Sequence, residues 1–535
     1  MDLVRQLQDE MPRFNSSICD GLATEQLRPA VTEEYIDIVI KSAAKNFPEG
    51  FRYQGFTRCT PEQQFRALCQ LSGLERKGKY EASYSDIYMV CYRFEYGSKV
   101  WYKYLMLPNV HRGGILSIRG AKFHISPALI DNLFSIEDGN IFVQLTRTRI
   151  NFSKLQTSYL ANGTSVKEDV VWSKLHNWPD KDCVKRRHTL LANYLFASMG
   201  VTETFKRYFD TKVHYGIENI TEENYPSDKW VICESDGNPT TRTKKLAMTM
   251  KTHFRIAVPK DKFEEDAGLR SMIGSFFYIL DHISDLGFVT TEYMDKPRLW
   301  RRVLARFIYR VIDSESQKLE KMDEHMESVR NYMDSLVLKK LRFENIHLES
   351  IEDFLAYLIK NFTRLENSKD LPNTIGKQLE TTRFVLFDIT RQIFNMMYKM
   401  QELKGARLTE HALDNVLNRF PTDHIMKINS KHGEVSTLET ASDSFLMKVT
   451  LPVVDQEKAS NTKKGSQKSD EMKNPKFQLH PSNFHTFSYL SILKSAPSGH
   501  GRLNPFASLG ENYDVRENEV IKPLADNFAE LAPHE

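Results

Sequence analysis

Three groups of residues have the types and spacing to meet a polyanion. In TRTRINFSKL, Arg147, Arg149 and Lys154 gather three cations after a strand-like run. Arg147 and Arg149, two apart on a strand, project to one face, where guanidinium donors could hold successive phosphates. Charged strand ends are common, and the same residues also suit a solvated strand end. Arg383 and Arg391 fall eight apart in a segment of helical periodicity. A little over two turns places them on one polar face, open to phosphates or to neighbouring carboxylates. The third group is HPSNFHTFSYLSILKSAPSGHGRLNPF, residues 480–506, which contains no carboxylate. Its Pro-Ser-Gly turn at Gly499 and a further Gly501 let backbone N–H groups approach a phosphate or sugar, with Lys494 and Arg502 as counter-charges. The alternative is a C-terminal run of strands and turns. His480, His485 and His500 lack metal-ligand spacing and have no neighbouring cysteine, and His424 and His432 suit ordinary loop positions.

Catalytic signatures are missing. A two-metal nucleotidyl-transfer site needs clustered carboxylates, and neither an Asp-x-Asp-x-Asp run nor a phosphate-binding P-loop occurs. A Gly-x-Ser-x-Gly elbow and a His-Glu-x-x-His motif are absent as well. No catalytic or metal-ligating residue is therefore assigned. If the chain works within an enzyme, the active carboxylates are expected on another polypeptide.

The 535 residues allow two to four domains, and the net charge of +3 leaves any polyanion to local patches. Cys19, Cys59, Cys69, Cys91, Cys183 and Cys233 show no zinc-ligand spacing and are expected as reduced, mostly buried thiols. The charged start MDLVRQLQDE carries no secretory signal, and no run reaches the roughly 18–20 apolar residues of a membrane span. A cytosolic setting is expected.

The elements that must position these residues read as a multidomain α+β chain. Helices are expected near 34–46 and 61–73, and DIYMVCYRFEYGSKVWYKYLMLP forms a hairpin about its Gly-Ser turn. A second hairpin fits 115–126, with alternating apolar and polar faces. An Asp-Gly turn at 138–139 and a strand at 141–145 precede the basic cluster, and the segment after that cluster reads as a short helix. Residues 165–300 alternate helical and extended pieces with turns, as in a smaller α+β domain. From 296 the character is helical, including a long helix at 376–403 with Leu386, Ile389, Ile393, Met396 and Met400 on one buried stripe. Residues 455–476 contain too few apolar side chains to offset ordering and are expected as a mobile loop. No fixed-period repeat is present.

The order of these features resembles the N-terminal half of the β subunit of multisubunit DNA-dependent RNA polymerases. GGILSIRGAKFHI and GNIFVQLTRTRINFSKL stand where that family has a strand pair followed by a basic strand end. DLPNTIGKQLETTRFVLFDITRQIFNMMYKM looks like the helix closing its protrusion domain, with Arg391 near the central arginine. HPSNFHTFSYLSILKSAPSGHGRLNP resembles its fork region and the turn beside the RNA–DNA hybrid, with Ser498 in place of a glutamate.

The resemblance implies an N-terminal segment at 1–33, protrusion-like parts at 34–150 and within 301–430, a lobe-like domain at 151–300, and a fork-like region at 431–535. It implies that Arg147, Arg149 and Lys154 touch DNA phosphates. It also brings Arg383, Arg391, His480, Lys494, Gly499, Gly501, Arg502 and Asn504 to a nucleic-acid surface. The chain stops about 30 residues after the fork-like turn, which resembles the split β subunits of giant bacteriophages. The implied partners are a C-terminal β-like chain, β′-like chains, the DNA template and the RNA–DNA hybrid, without a membrane. No cofactor is implied for this chain; Mg2+ is expected on a β′-like partner. The implied location is the cytoplasm of an infected bacterial host, a phage-made compartment, or the virion. Two other classes stay open: a non-enzymatic phage DNA-binding or scaffold protein, and a stand-alone nucleotide-processing enzyme, which the missing catalytic motifs disfavour.

Overall fold

A computed structural model describes residues 15–45, 47–72, 84–137, 139–146, 148–173, 175, 189–236, 254–282, 291–309, 312–368, 373–401, 403, 405–427, 431–432, 435–436, 438–440, 448–450, 480–488, 500–519 and 522–523. The expected loop at 455–476 lies outside them. The chain is mixed α+β and forms two compact units, Met1–Asn132 together with Asp370–Glu535, and Leu133–Lys369.

The first unit begins with short helices and then the helix Pro29–Ala44, which Pro29 opens because its missing N–H is not needed in the first turn. Ile36, Val39, Ile40 and Ala43 recur at helical spacing and are buried. They join the core of an antiparallel sheet of three strands, Phe51–Arg58, Ile87–Tyr96 and Lys99–Pro108, in that order. The last two are the expected Gly-Ser hairpin, in continuous register from Ile87–Pro108 to Tyr96–Lys99. Rings fill the inner face: Phe51 stacks on Phe94 at 5.8 Å and meets Trp101 edge-on at 6.1 Å. The expected stripe of Leu386, Ile389, Ile393, Met396 and Met400 is buried in the same core.

The second expected hairpin is present as Ile115–Ile118 paired with Ala121–Ile125. Ser117, placed on its polar side, is buried nonetheless, because Asp86 lies against it. The Asp86 carboxylate accepts from Ser117 N (2.7 Å) and from His111 Nε2 (2.7 Å), fastening one hairpin to the other. Burial works to raise this carboxyl, but hydrogen bonds from Tyr84, His111 and Ser117 outweigh it and hold it down to about 2. A group depressed in the folded state contributes stability above its ordinary value near 4 and loses it as pH falls through the folded value. Unfolding free energy should therefore drop between about pH 4 and pH 2. Asp86→Asn should remove that step and cost about 1–3 kcal/mol at neutral pH. Urea titrations at several pH values read both effects, and an unchanged pH profile in the variant would remove the role given to Asp86.

The long helix expected at 376–403 is instead broken into a strand, Gln378–Glu380, a short helix, Thr382–Val385, and the helix Phe387–Gln401. Tertiary hydrogen bonds override the local periodicity. The strand pairs with Ala128–Ile130, and the buried Gln26 amide donates to Leu379 O (2.6 Å) and accepts from Thr381 N (2.7 Å) and the Thr381 hydroxyl. Gly21, at φ +88°, lies so close to the backbone of Gly113 and Gly114 that a Cβ there would fall 2.5 Å from Gly114 N. Gly113 N also donates to Asp20 O (2.6 Å).

The second unit is built on a seven-stranded sheet. Its order is His214–Gly216, Arg255–Pro259, Trp230–Glu234, Arg149–Ala161, Asn140–Gln144, Phe134–Glu137, and Thr164–Ser173 also pairs with Arg149–Ala161. The short helix expected after the basic cluster is thus a strand. Asn162 and Gly163 adopt φ 45° and 77°, the two-residue turn whose twist matches antiparallel strands. Pairing runs unbroken from Ala161–Thr164 to Phe152–Ser173. The helices Leu191–Met199, Ala267–Asp281, Pro297–Ile308 and Ile351–Ser368 supply buried aromatic side chains. Trp300 packs 4.8 Å from Phe196, and its indole N–H donates to Met294 O (2.7 Å). Among the described cysteines all are free thiols and only Cys233 is buried; Cys19 is exposed and Cys59, Cys69 and Cys91 are half-buried, fewer than expected inside.

Candidate nucleic-acid interface

The two units divide the candidate residues. Arg149 and Lys154 belong to the second unit, and Arg383, Arg391, His480, Gly501, Arg502 and Asn504 belong to the first. Arg147, Lys494 and Gly499 lie outside the described residues.

Arg149 opens its strand and is exposed. Its guanidinium lies over the Phe142 ring at 4.2 Å and donates to Ser135 Oγ at 3.2 Å. The stacked face is apolar and the rim carries donors, an arrangement that can still offer N–H groups to a phosphate. Lys154 is more committed. Its ammonium sits 2.9 Å from Glu366 and 3.5 Å from Asp169, and the hydrogen bond to Glu366 raises it above its ordinary value. A phosphate there meets an ammonium whose charge two carboxylates already offset.

Arg383 and Arg391 do not share one continuous helix. Arg383, on the short helix Thr382–Val385, keeps 14% of its side chain exposed, lies over the Phe384 ring at 4.5 Å and faces Glu380 at 3.7 Å. Arg391, on Phe387–Gln401, is 58% exposed and pairs with Asp388 at 3.1 Å. An exposed i,i+3 pair is weak and readily exchanged for another anion.

The remaining candidates converge in a knot at the C-terminal end of the first unit. Leu379, Leu503, Ala507 and Val515 are buried there with Ile18, Leu22 and Leu129. His500–Arg502 pairs with Lys448–Thr450, setting Arg502 opposite Lys448. Gly501 is required by Phe487, whose ring would stand 2.8 Å from an added Cβ. Asn504 holds the turn together: its Nδ2 donates to Phe484 O (3.3 Å) and its Oδ1 accepts from Phe506 N (3.0 Å). Arg502 is half-buried, and its carbonyl accepts from Ser488 N (2.8 Å).

A buried relay of hydroxyls anchors the His-Pro-Ser step. Thr486 Oγ1 donates to Thr374 Oγ1 (2.8 Å), and Thr374 Oγ1 donates to Ser482 O (2.9 Å). Ser482 Oγ accepts from Thr374 N (2.8 Å) and donates to His480 Nδ1 (2.7 Å). His485, also buried, accepts at Nδ1 from Asn518 N (3.0 Å). Thr374 and Ser482 lie more than a hundred positions apart, so no local motif marks the relay. Sequence reasoning missed it for that reason.

Among the described residues no group of three or more His, Cys, Asp or Glu side chains could hold a metal ion, and no described helix is long and apolar enough to cross a membrane. The arrangement can present guanidinium and amide donors. No curated protein matches the chain. A family model described as non-virion RNA polymerase subunit matches residues 1–530. That match takes in both units almost end to end, so the chain belongs to the family of non-virion RNA polymerase subunits, as a member of a phage transcription complex with other polymerase chains as partners.

Proposed function

We propose that this subunit is the N-terminal β-like half of a split phage RNA polymerase and forms part of the wall of its DNA and RNA channel. One observation carries the reading: the second unit, Leu133–Lys369, is inserted between two separated halves of the first. A protrusion interrupted by a lobe and followed by a fork has that connectivity. In this proposal a β′-like chain holds the catalytic Mg2+, and a C-terminal β-like chain completes the channel. Arg149, Lys154, Arg383 and Arg391 contribute contacts to phosphates. His480, Gly501, Arg502 and Asn504 shape the fork, where Asn504 fixes the turn that presents Arg502. Such contacts set position and salt dependence and carry little base preference.

The test is reconstitution with the partner chains. The subunit should co-purify with β- and β′-like polypeptides. Arg502→Ala should lower transcript yield roughly 10- to 150-fold, the loss of one charge-assisted contact at ~1.5–3 kcal/mol, without changing assembly. Unchanged elongation at several salt concentrations would remove Arg502 from the site. A chain that stays monomeric while transcription proceeds without it would favour a scaffold protein instead.

A further inference from the structure

We infer that the outer face of the three-stranded sheet in the first unit is a stacking platform for single-stranded nucleic acid, centred on Tyr102. The inference does not rest on the β-like assignment, because it uses a surface none of the preceding residues occupy.

Directly opposed residues of antiparallel strands project to the same face. The register therefore defines three rows on the side away from the aromatic core. Gly55, Arg93 and Tyr102 form one row, Thr57, Cys91 and Tyr104 the next, and Arg52, Glu95 and Val100 the third. Their inward neighbours Tyr92, Phe94 and Trp101 are buried, which fixes the direction of the outward set. Tyr102 is 58% exposed although it lies in the middle of a strand. Tyr104 beside it is half-buried, and Arg52, Arg93 and Thr57 are exposed.

The chemistry of this face fits one kind of occupant. An aromatic ring held upright by a rigid sheet offers its π-face to an unpaired base, and Tyr104, half-buried against the core, braces the strand beside it. At Gly55 an added Cβ would meet nothing within 4 Å, so the floor beside Arg93 is open. The charges select a polyanion over an acidic or apolar protein segment. Glu95 is the one carboxylate in the three rows, and it stands 4.0 Å from Arg93 Nη2. Arg52, opposite Glu95, is exposed on the same face. The face thus sets the Arg93 guanidinium one strand from the Tyr102 ring, at the roughly 5 Å spacing of adjacent strands, with Arg52 one strand further out. A duplex keeps its bases stacked on each other and cannot use the ring.

The experiment uses the full chain and a fluorescein-labelled (dT)12, read by anisotropy, with the matching duplex as control. The same oligonucleotide carrying 5-iodouracil adds a photocrosslink readout. Tyr102→Ala should weaken single-strand binding about 5- to 100-fold, as loss of one stacked base at ~1–3 kcal/mol implies. Tyr102→Phe, which keeps the ring, should stay within about twofold of the parent, and crosslinks should map to Lys99–Pro108. Tyr102 is exposed, so an unchanged melting curve is expected for both variants. Three results overturn the inference: single-strand affinity within twofold of the parent in Tyr102→Ala, an equal loss for the duplex, or no crosslink on that strand. Loss of a polymerase chain from Tyr102→Ala preparations with oligonucleotide binding intact also overturns it, and places a protein on this face.

Discussion

Gln26→Leu should destabilise the first unit by about 3–5 kcal/mol, because three buried polar groups lose their partner at once. The side chain has nearly the same volume, so the loss is chemical rather than steric. In the parent, one amide satisfies Leu379 O, Thr381 N and the Thr381 hydroxyl, and the Gln26 carbonyl accepts from Thr382 Oγ1 (2.8 Å). Leucine leaves the first three without a donor or acceptor in a site closed to water. Hydrogen–deuterium exchange resolved by peptide reads the effect: amides in the first unit should lose protection, while those of the second-unit helix Ala267–Asp281 keep it. A loss below about 1 kcal/mol would show that water or a rearranged neighbour satisfies these groups.

Gly21→Ala should be of similar size, about 3–5 kcal/mol, for a different reason. Its methyl would meet the backbone of Gly113 and Gly114 at 2.5–2.6 Å, and the φ of +88° is strained for any L-residue. Backbone cannot swing aside as a side chain can. Gly163→Ala is the control, since its φ of +77° carries the strain with nothing within 4 Å. It should cost only about 1–2 kcal/mol. Denaturant midpoints for the two variants separate steric exclusion from backbone strain. Equal costs would mean that the 15–26 segment moves away from the 111–125 hairpin without penalty.

What could be read from the sequence was whatever short-range periodicity controls. The Gly97–Ser98 hairpin and the stripe from Leu386 to Met400 follow from side-chain alternation and helical spacing, and the folded chain contains both. Failures came where a distant partner or a turn decided the conformation. The segment after Lys154 reads as a short helix, yet the Asn-Gly pair at 162–163 is the available signal for a hairpin and outweighs it. The segment 378–386 has helical spacing, but the buried amide of Gln26 draws its backbone out. For the candidate site, the side-chain types were legible and their commitments were not. Nothing near Lys154 announces Glu366 or Asp169 as its partners, and nothing near Ser482 announces Thr374. Strand periodicity places Tyr102 on a face without telling whether that face is covered.

The interrupted course of the first unit also sets an order of events during synthesis. Its core requires Leu379, Leu503, Ala507 and Val515 against Ile18, Leu22 and Leu129, and all of Leu133–Lys369 is made between them. At roughly 5–20 residues per second, that insertion keeps the early half waiting on the order of 10–50 s with Leu22 and Leu129 uncovered. The second unit, contiguous in the chain, is free to fold in that interval. Nascent chains stalled before residue 370 should therefore engage holding chaperones through the early half, and release should coincide with emergence of the closing segment. The segment from 370 to 515 completes a fold begun before residue 133, so a stop between 370 and 503 should disable the first unit while leaving the second intact.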